Sequence, residues 1–132
     1  FIGDDFSPVR PELCKEYPTN YCIRQQINGK FSIRTYIDMP ESTCIAFASR
    51  YVNEDFHSFD EYVQSSLEDF LNLHNGLFNV NMSNEQGLEL QLDVPNVVTD
   101  ELVTFEHEAY MLPIVYSFGT IHFIFELIHN EL

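Results

Sequence analysis

The longest helical pattern in the chain spans residues 59–77, FDEYVQSSLEDFLNLHNGL. Wound at about 100° per residue, it separates into two faces. The apolar side chains, with the next residue included, share one broad arc: Phe59, Tyr62, Val63, Leu67, Phe70, Leu71, Leu77 and Phe78. The opposite face is polar or small: Glu61, Ser65, Glu68, Asp69, Asn72, Asn75 and Gly76. We therefore expect the apolar arc to pack on a core and the polar face to meet solvent.

Strand-like runs and a shorter helix precede this segment. Residues 21–27 and 31–38 flank an Asn-Gly pair at 28–29, which is the strongest short-range signal for a β-hairpin. Pro40 then indicates the start of a short helix that ends near Asn53.

The long helix has its own start and stop signals. Ser58 is the expected N-cap, with Glu61 three positions on completing a capping box. Residues 80–87 are polar and are expected to form a connection. Residues 88–92 alternate between Leu and polar side chains, which predicts a strand with one solvent-exposed face.

The last third of the chain is rich in extended patterns. We expect a short strand at 101–107, followed by two apolar runs, 108–116 and 120–128, that form a hairpin. Pro113 within the first run indicates an edge strand or a bulge, because proline cannot donate to a sheet ladder.

These elements predict an α+β fold, in which a short and a long helix pack on a largely antiparallel β-sheet. Residues 1–20 are rich in proline and charge and show little periodicity, so we expect a linker or an N-terminal arm there. The domain itself is expected to span 21–132.

Charge is distributed unevenly in this chain of net charge −15. All six Lys and Arg residues lie in the first 50 positions, whereas residues 51–132 hold fifteen acids and no Lys or Arg. Such a surface repels nucleic acids and anionic membranes, because cations carry most phosphate binding. Chemistry on phosphate would need cations from a partner or a bound metal.

Hydropathy and cysteine content bear on the compartment in which the protein is expected. No apolar run approaches the roughly 18 residues that a membrane-spanning helix needs. The cysteines Cys14, Cys22 and Cys44 are odd in number and lack CxxC spacing, which disfavours structural zinc and a disulfide framework. We expect reduced thiols in a cytoplasmic protein.

Asp69 and Asn72 are the first candidates for chemistry. They are three residues apart on one helix face, where an acid and an amide can hold a water and a docked partner. The alternative is that both residues belong to the polar, solvent-exposed face that any amphipathic helix has and carry no function. Gly76 costs about 1 kcal/mol against alanine within a helix, so it is either a C-cap or a place that another backbone approaches closely.

Other reactive side chains offer weaker patterns. Glu106 and Glu108 share one face of a strand and suggest a metal-dependent hydrolase as a distant hypothesis. His74 is expected to be packed and hydrogen-bonded, and Cys44 to be a buried, inert thiol. The chain contains no GxSxG motif, P-loop or dinucleotide-binding glycine motif.

The segment 69–76, DFLNLHNG, resembles the E-x-x-N…G helix signature of the CheX/CheC family of chemotaxis phosphatases. Further segments resemble the family's elements in the same order: 30–37, KFSIRTYI; 41–55; 88–98, LELQLDVPNVV; and 109–127. The similarity covers 21–127.

The resemblance implies a hydrolase that removes the phosphoryl group from the aspartate of a phosphorylated CheY-like response regulator. In that family the amide orients the attacking water and the acid pairs with the regulator's lysine, roles that map onto Asn72 and Asp69. Ser65, Glu68, Asn75 and Gly76 would contact the partner. The regulator brings the Mg²⁺, so no cofactor of the chain's own is implied.

Two alternatives accompany this hypothesis. The family acid is usually Glu, and Asp69 is one methylene shorter, so a CheX-like interaction module that binds a receiver domain without hydrolysis is the runner-up. The resemblance also implies homodimers paired through sheet edges, and the apolar run 120–128 is the expected edge.

Overall fold

Eight strands and two helices make up the computed structural model, which describes residues 6–8 and 12–128. The elements are β1 (Phe6–Pro8), β2 (Glu12–Pro18), β3 (Tyr21–Asn28), β4 (Ser32–Met39), α1 (Glu41–Val52), α2 (Glu61–Gln86), β5 (Gln91–Leu92), β6 (Asn96–Thr99), β7 (Leu102–Tyr116) and β8 (Gly119–Ile128). The strands form one antiparallel sheet in the order β1-β7-β8-β4-β3-β5, with β2 also on β7 and β6 also on β3. The predicted α+β fold is confirmed.

The helices pack on one face of this sheet. Because neighbouring residues of a strand point to opposite faces, Ile23 and Ile37 face the helices while Cys22 and Tyr36 face away. The core beneath the helices is completed by buried side chains of both helices and of β8: Cys44, Phe47, Ala48, Val63, Leu67, Phe70, Leu71 and Ile121. No helix among the described residues is long and apolar enough to cross a membrane.

The hairpin and the short helix are as predicted. β3 and β4 pair from Tyr21 opposite Met39 to Ile27 opposite Ile33. Helix α1 ends at a C-cap, Asn53, in the left-handed conformation with φ of 57°.

Helix α2 differs from its prediction at both ends. The expected cap Ser58 is wrong, because the helix begins later and Asp60 accepts the main-chain N–H of Val63 at 2.9 Å. The expected connection over 80–87 is wrong as well, because the helix runs on to Gln86. It stops where Gly87 takes a φ of 67° as the C-cap.

The second half of the sheet requires further corrections. The expected strands 101–107 and 108–116 form one continuous strand, β7, and the expected strand 88–92 shrinks to Gln91–Leu92. Pro113 is not on an edge strand, since β7 pairs on both sides. On one side β7 pairs with β8 throughout this region. On the other side Pro113 lies in the gap between Ile114, the last residue of β7 that pairs with β1, and Met111, the first that pairs with β2.

The outer strands also differ from expectation. β8 lies between β7 and β4, so the expected dimer edge at 120–128 is wrong. Pairing between sheet edges stays a prediction, and it would have to use an outer strand such as β2 or β6. Within the arm expected at 1–20, residues 12–18 pair with β7 as a strand, and residues 1–5 and 9–11 lie outside the described residues. The domain boundary at 20/21 stays a prediction.

Candidate functional site

The predicted pair lies on the outer face of α2. Leu67, Phe70 and Leu71 of the same helix are buried against the sheet and α1, whereas Asp69 and Asn72 are exposed. The 3.6-residue period of the helix therefore places the acid and the amide side by side on a surface that a partner can reach.

Asp69 is held by an aromatic residue of α1. The hydroxyl of Tyr51 donates to Oδ2 of Asp69 at 2.8 Å. Partial burial of the phenol and this hydrogen bond raise the pKa of Tyr51 to about 12. The Oδ1 atom of Asp69 has no hydrogen-bond partner among residues 12–128, so it is available to a cation.

A shallow groove of about 430 Å³ opens beside this acid. It is lined by three aromatic rings, two acids and small or apolar side chains: Tyr51, Phe56, Tyr62, Glu54, Asp69, Val52, Ser65 and Ser66. The mixture of aromatic faces and carboxylates favours a positively charged side chain.

Asn72 is held from beneath by the sheet. Its Oδ1 accepts a hydrogen bond from Nε2 of Gln25 at 2.7 Å. Gln25 is 1% exposed, and its Nε2 also donates to the carbonyl of Asp93 at 2.8 Å. An exposed amide of α2 is thereby tied to a buried amide of β3.

The four residues expected to contact a partner are not equivalent. Ser65 is exposed and lines the groove, and Glu68 is partly exposed. The exposed position expected for Asn75 is wrong: its side chain is 2% exposed, and Nδ2 donates to Gln25 Oε1 at 2.8 Å and to Thr35 Oγ1 at 2.9 Å. Asn75 therefore supports the site from inside the molecule.

Gly76 lies in the interior of α2, so the C-cap interpretation is wrong. A Cβ atom built on it would meet nothing within 4 Å. No neighbouring segment in this part of the chain requires glycine there, and close approach by a separate molecule stays a prediction.

Sequence reasoning missed Gln25 and Tyr51. A signal existed for Gln25, because Ile23, Gln25 and Ile27 share one face of β3 and all three are buried. A polar side chain in the inward register of a strand needs a hydrogen-bonding partner. Tyr51 carried no comparable signal.

The remaining candidates have other environments. His74 is exposed, but the centroid of its ring lies 6.3 Å from the ring centroid of Phe70 and 5.9 Å from that of Phe123. Burial raises the pKa of the Cys44 thiol to about 12, in agreement with the predicted inert thiol. Among the described residues, no group of three or more His, Cys, Asp or Glu side chains could hold a metal ion, so the hydrolase hypothesis on Glu106 and Glu108 lacks a ligand set there.

Solved structures of chemotaxis proteins share this fold. The chemotaxis protein CheX from Desulfovibrio desulfuricans is similar with a TM-score of 0.82 at 15% identity, over 96% of this chain and 87% of that one. A CheC-like superfamily protein from Shewanella sp. PV-4 has a TM-score of 0.78 at 18% identity, over 93% and 84% of the two chains. A chain of the CheX–CheY–BeF3–Mg²⁺ complex from Borrelia burgdorferi has a TM-score of 0.77 at 17% identity, over 96% and 86%.

Sequence comparison gives the family as well as the fold. None of the curated proteins matches this sequence. The family profile of the chemotaxis phosphatase CheX, however, matches residues 21–119, which is well over half of the chain. The chain therefore belongs to the family of the chemotaxis phosphatase CheX.

Proposed function

We propose that this chain dephosphorylates the phospho-aspartate of a CheY-type response regulator. Water attacks the phosphorus atom, the bond between phosphorus and the aspartate oxygen breaks, and the products are the free aspartate and inorganic phosphate. Asn72 orients the attacking water, and Asp69 pairs with the regulator's active-site lysine. The observation that carries this proposal is the acid–amide pair exposed side by side on α2 in a chain of the CheX family.

The geometry around the pair supports these roles. Asn72 is anchored through its oxygen by Gln25, which leaves its NH₂ group for a water or a phosphoryl oxygen. Asp69 is anchored through Oδ2 by Tyr51, which leaves Oδ1 for a lysine. Ser65, Glu68 and Gly76 flank the pair and would contact the partner.

The charge distribution supports a mechanism in which the partner supplies the cations that neutralise the phosphoryl group. Residues 51–132 contain no Lys or Arg, so they cannot neutralise a phosphoryl group themselves. A receiver that brings both a lysine and Mg²⁺ supplies the missing cations. The contact between Asp69 and that lysine would fix the register of the complex more than its affinity.

One experiment tests the proposal. Phosphate loss from a phosphorylated receiver is followed alone, with the native chain, and with Asn72→Ala. We expect the native chain to accelerate the loss and Asn72→Ala to abolish most of that acceleration. Asn84→Ala, which changes another exposed asparagine of α2, is the matched control and should behave like the native chain. A native chain that leaves the decay of every receiver of its own genome unchanged would refute the proposal.

A receiver-binding module without hydrolysis is the second candidate. It is favoured by one observation: the short acid Asp69 is already held against α1 by Tyr51, which limits its reach toward a partner. This candidate predicts tight binding of a receiver activated with beryllofluoride, a phosphate mimic, and no change in the rate of dephosphorylation.

A further inference from the structure

We infer that Gln25 is a positioning residue that fixes the side chain of Asn72 with its NH₂ group directed at the partner. The inference concerns a residue of the sheet, outside the helix that carries the site. It rests on the proposed function of Asn72 for its effect on the reaction, but the orientation itself follows from hydrogen bonds within the chain.

The orientation can be traced from two main-chain carbonyls, whose role as acceptors is unambiguous. The hydroxyl of Thr35 donates to the carbonyl of Gln25 at 2.8 Å. A hydroxyl has a single hydrogen, so the group that lies 2.9 Å from the same Oγ1 must be a donor. That group is Nδ2 of Asn75, and the amide of Asn75 is thereby oriented.

The next amide follows from this one. Nδ2 of Asn75 also donates to Oε1 of Gln25 at 2.8 Å, so the oxygen of Gln25 faces Asn75. Its nitrogen is then turned toward the second carbonyl, that of Asp93, at 2.8 Å. Both ends of this buried amide are thus assigned by their neighbours.

Asn72 is the last member of the series. An amide nitrogen donates and does not accept, so the atom of Asn72 that lies 2.7 Å from Nε2 of Gln25 must be the oxygen. A reversed Asn72 would place donor against donor over a side chain that is 1% exposed. The NH₂ group of Asn72 is therefore the outward group, and it has no hydrogen-bond partner among residues 12–128.

This assignment specifies what Asn72 can do. With its NH₂ outward it donates a hydrogen bond to the oxygen of the attacking water, and it is not positioned to remove a proton. The hydrogen-bonded series Thr35–Asn75–Gln25 sets the direction of that donor before a receiver arrives. Positioning of this kind affects the rate of the chemical step more than the affinity of the complex.

The kinetic test replaces Gln25 by Met, which has a similar shape and no amide, and by Glu, which keeps the acceptor and loses the donor. We expect the rate at saturating receiver to fall by about 10- to 100-fold. The affinity for a beryllofluoride-activated receiver should stay at the native value. Gln26→Met is the matched control, because Gln26 is the next residue of β3, faces the other side of the sheet and bonds to Asn28 and Arg34. Equal rates for the native chain and both Gln25 variants would overturn the inference.

A second measurement is independent of activity. The side-chain NH₂ signal of Asn72 in a ¹⁵N NMR spectrum, identified by its loss in Asn72→Ala, should be as ordered as the backbone in the native chain. In Gln25→Met it should become as mobile as that of the exposed Asn84. An Asn72 signal already mobile in the native chain, or unchanged by Gln25→Met, would overturn the inference. If the native chain dephosphorylates nothing, the proposed function fails, and this measurement still decides whether Gln25 holds the side chain of Asn72 in place.

Asn72→Asp covers the case in which the Gln25 variants do not fold. The variant lies on the surface and keeps an oxygen for Gln25, but it presents a carboxylate oxygen where the native chain presents NH₂. We expect the same loss of rate as in Asn72→Ala. A native rate in Asn72→Asp would overturn the donor role.

Discussion

The hydroxyl of Tyr51 in α1 donates a 2.8 Å hydrogen bond to the carboxylate of Asp69 in α2. The two helices therefore meet at the acid of the proposed site as well as in the core. The contact fixes the acid in the free protein, and burial of the phenol together with this contact raises the pKa of Tyr51.

Asp69→Asn should lower the pKa of Tyr51 from about 12 toward the ordinary value of 10.0, because the negative charge beside the phenol is removed. The part due to burial stays, and the amide oxygen at this position can still accept the hydrogen bond. Because the pKa of Tyr51 is higher in the folded state than the ordinary 10.0, its protonated phenol favours the fold below pH 10, and this contribution is lost as the pH rises through about 12. NMR titration of ¹³C-labelled tyrosine measures the pKa directly. Tyr62, which lines the same groove without this bond, is the internal control. An unchanged Tyr51 pKa in Asp69→Asn would contradict the contact.

Asp69→Glu should raise the rate of receiver dephosphorylation, because the extra methylene extends the carboxylate toward the partner's lysine. We expect a gain of up to about tenfold, equivalent to ~1.4 kcal/mol of transition-state stabilisation. The measurement is phosphate release at a fixed receiver concentration, with Asp55→Glu as a control at another exposed acid. A slower Asp69→Glu chain would show that reach is not what limits the acid.

Gly76→Ala should separate stability from binding. The added methyl group meets nothing within 4 Å, so the fold should become more stable by up to about 1 kcal/mol in urea unfolding. If a partner approaches closely at this position, its affinity for the chain should fall. Asn81→Ala, at an exposed position of the same helix, is the control and should leave affinity unchanged. Unaltered affinity in Gly76→Ala would remove Gly76 from the interface.

Glu126→Ala should destabilise the fold by about 2–3 kcal/mol, because buried donors lose their acceptor. The side chain of Glu126 is 2% exposed. Its Oε2 accepts hydrogen bonds from the main-chain N–H groups of Glu106 and His107 at 3.1 Å each, and its Oε1 accepts one from Nη1 of Arg34 at 3.3 Å. Urea unfolding measures the loss. Glu89→Ala, an exposed acid, should change stability by less than about 0.5 kcal/mol. A similar small change in both variants would mean that these bonds contribute little.

Local signals in the sequence predicted much of the fold. The Asn-Gly turn and the flanking period-two runs were sufficient for the β3–β4 hairpin, because a hairpin is formed by neighbours in sequence. The end of α2 was not predictable in the same way. Residues 80–86 contain no Pro or Gly to stop a helix, and the preference of Asn and Ser for turns is too weak to end one.

The outer side of the candidate site was predictable, whereas the partners on its inner side were not. Helical periodicity is sufficient to place Asp69 and Asn72 on one exposed face. The same periodicity gives the position of Asn75 around the helix, but it does not tell how close the sheet lies to that position. Thr35 and Gln25 provide the polar contacts that allow Asn75 to be buried. Those contacts join residues 40 and 50 positions apart, so they depend on strand pairing that no local pattern specifies.

Helix α2 is 26 residues long, and its length has a consequence for the energetics of association. It begins about two turns before Asp69 and continues about four turns beyond Asn72, so the fraying that loosens helix ends does not reach the pair. The backbone of the pair has already lost its conformational freedom when the chain folds. A docking partner would therefore meet a backbone that is ordered in advance, so association would not require further ordering of this backbone.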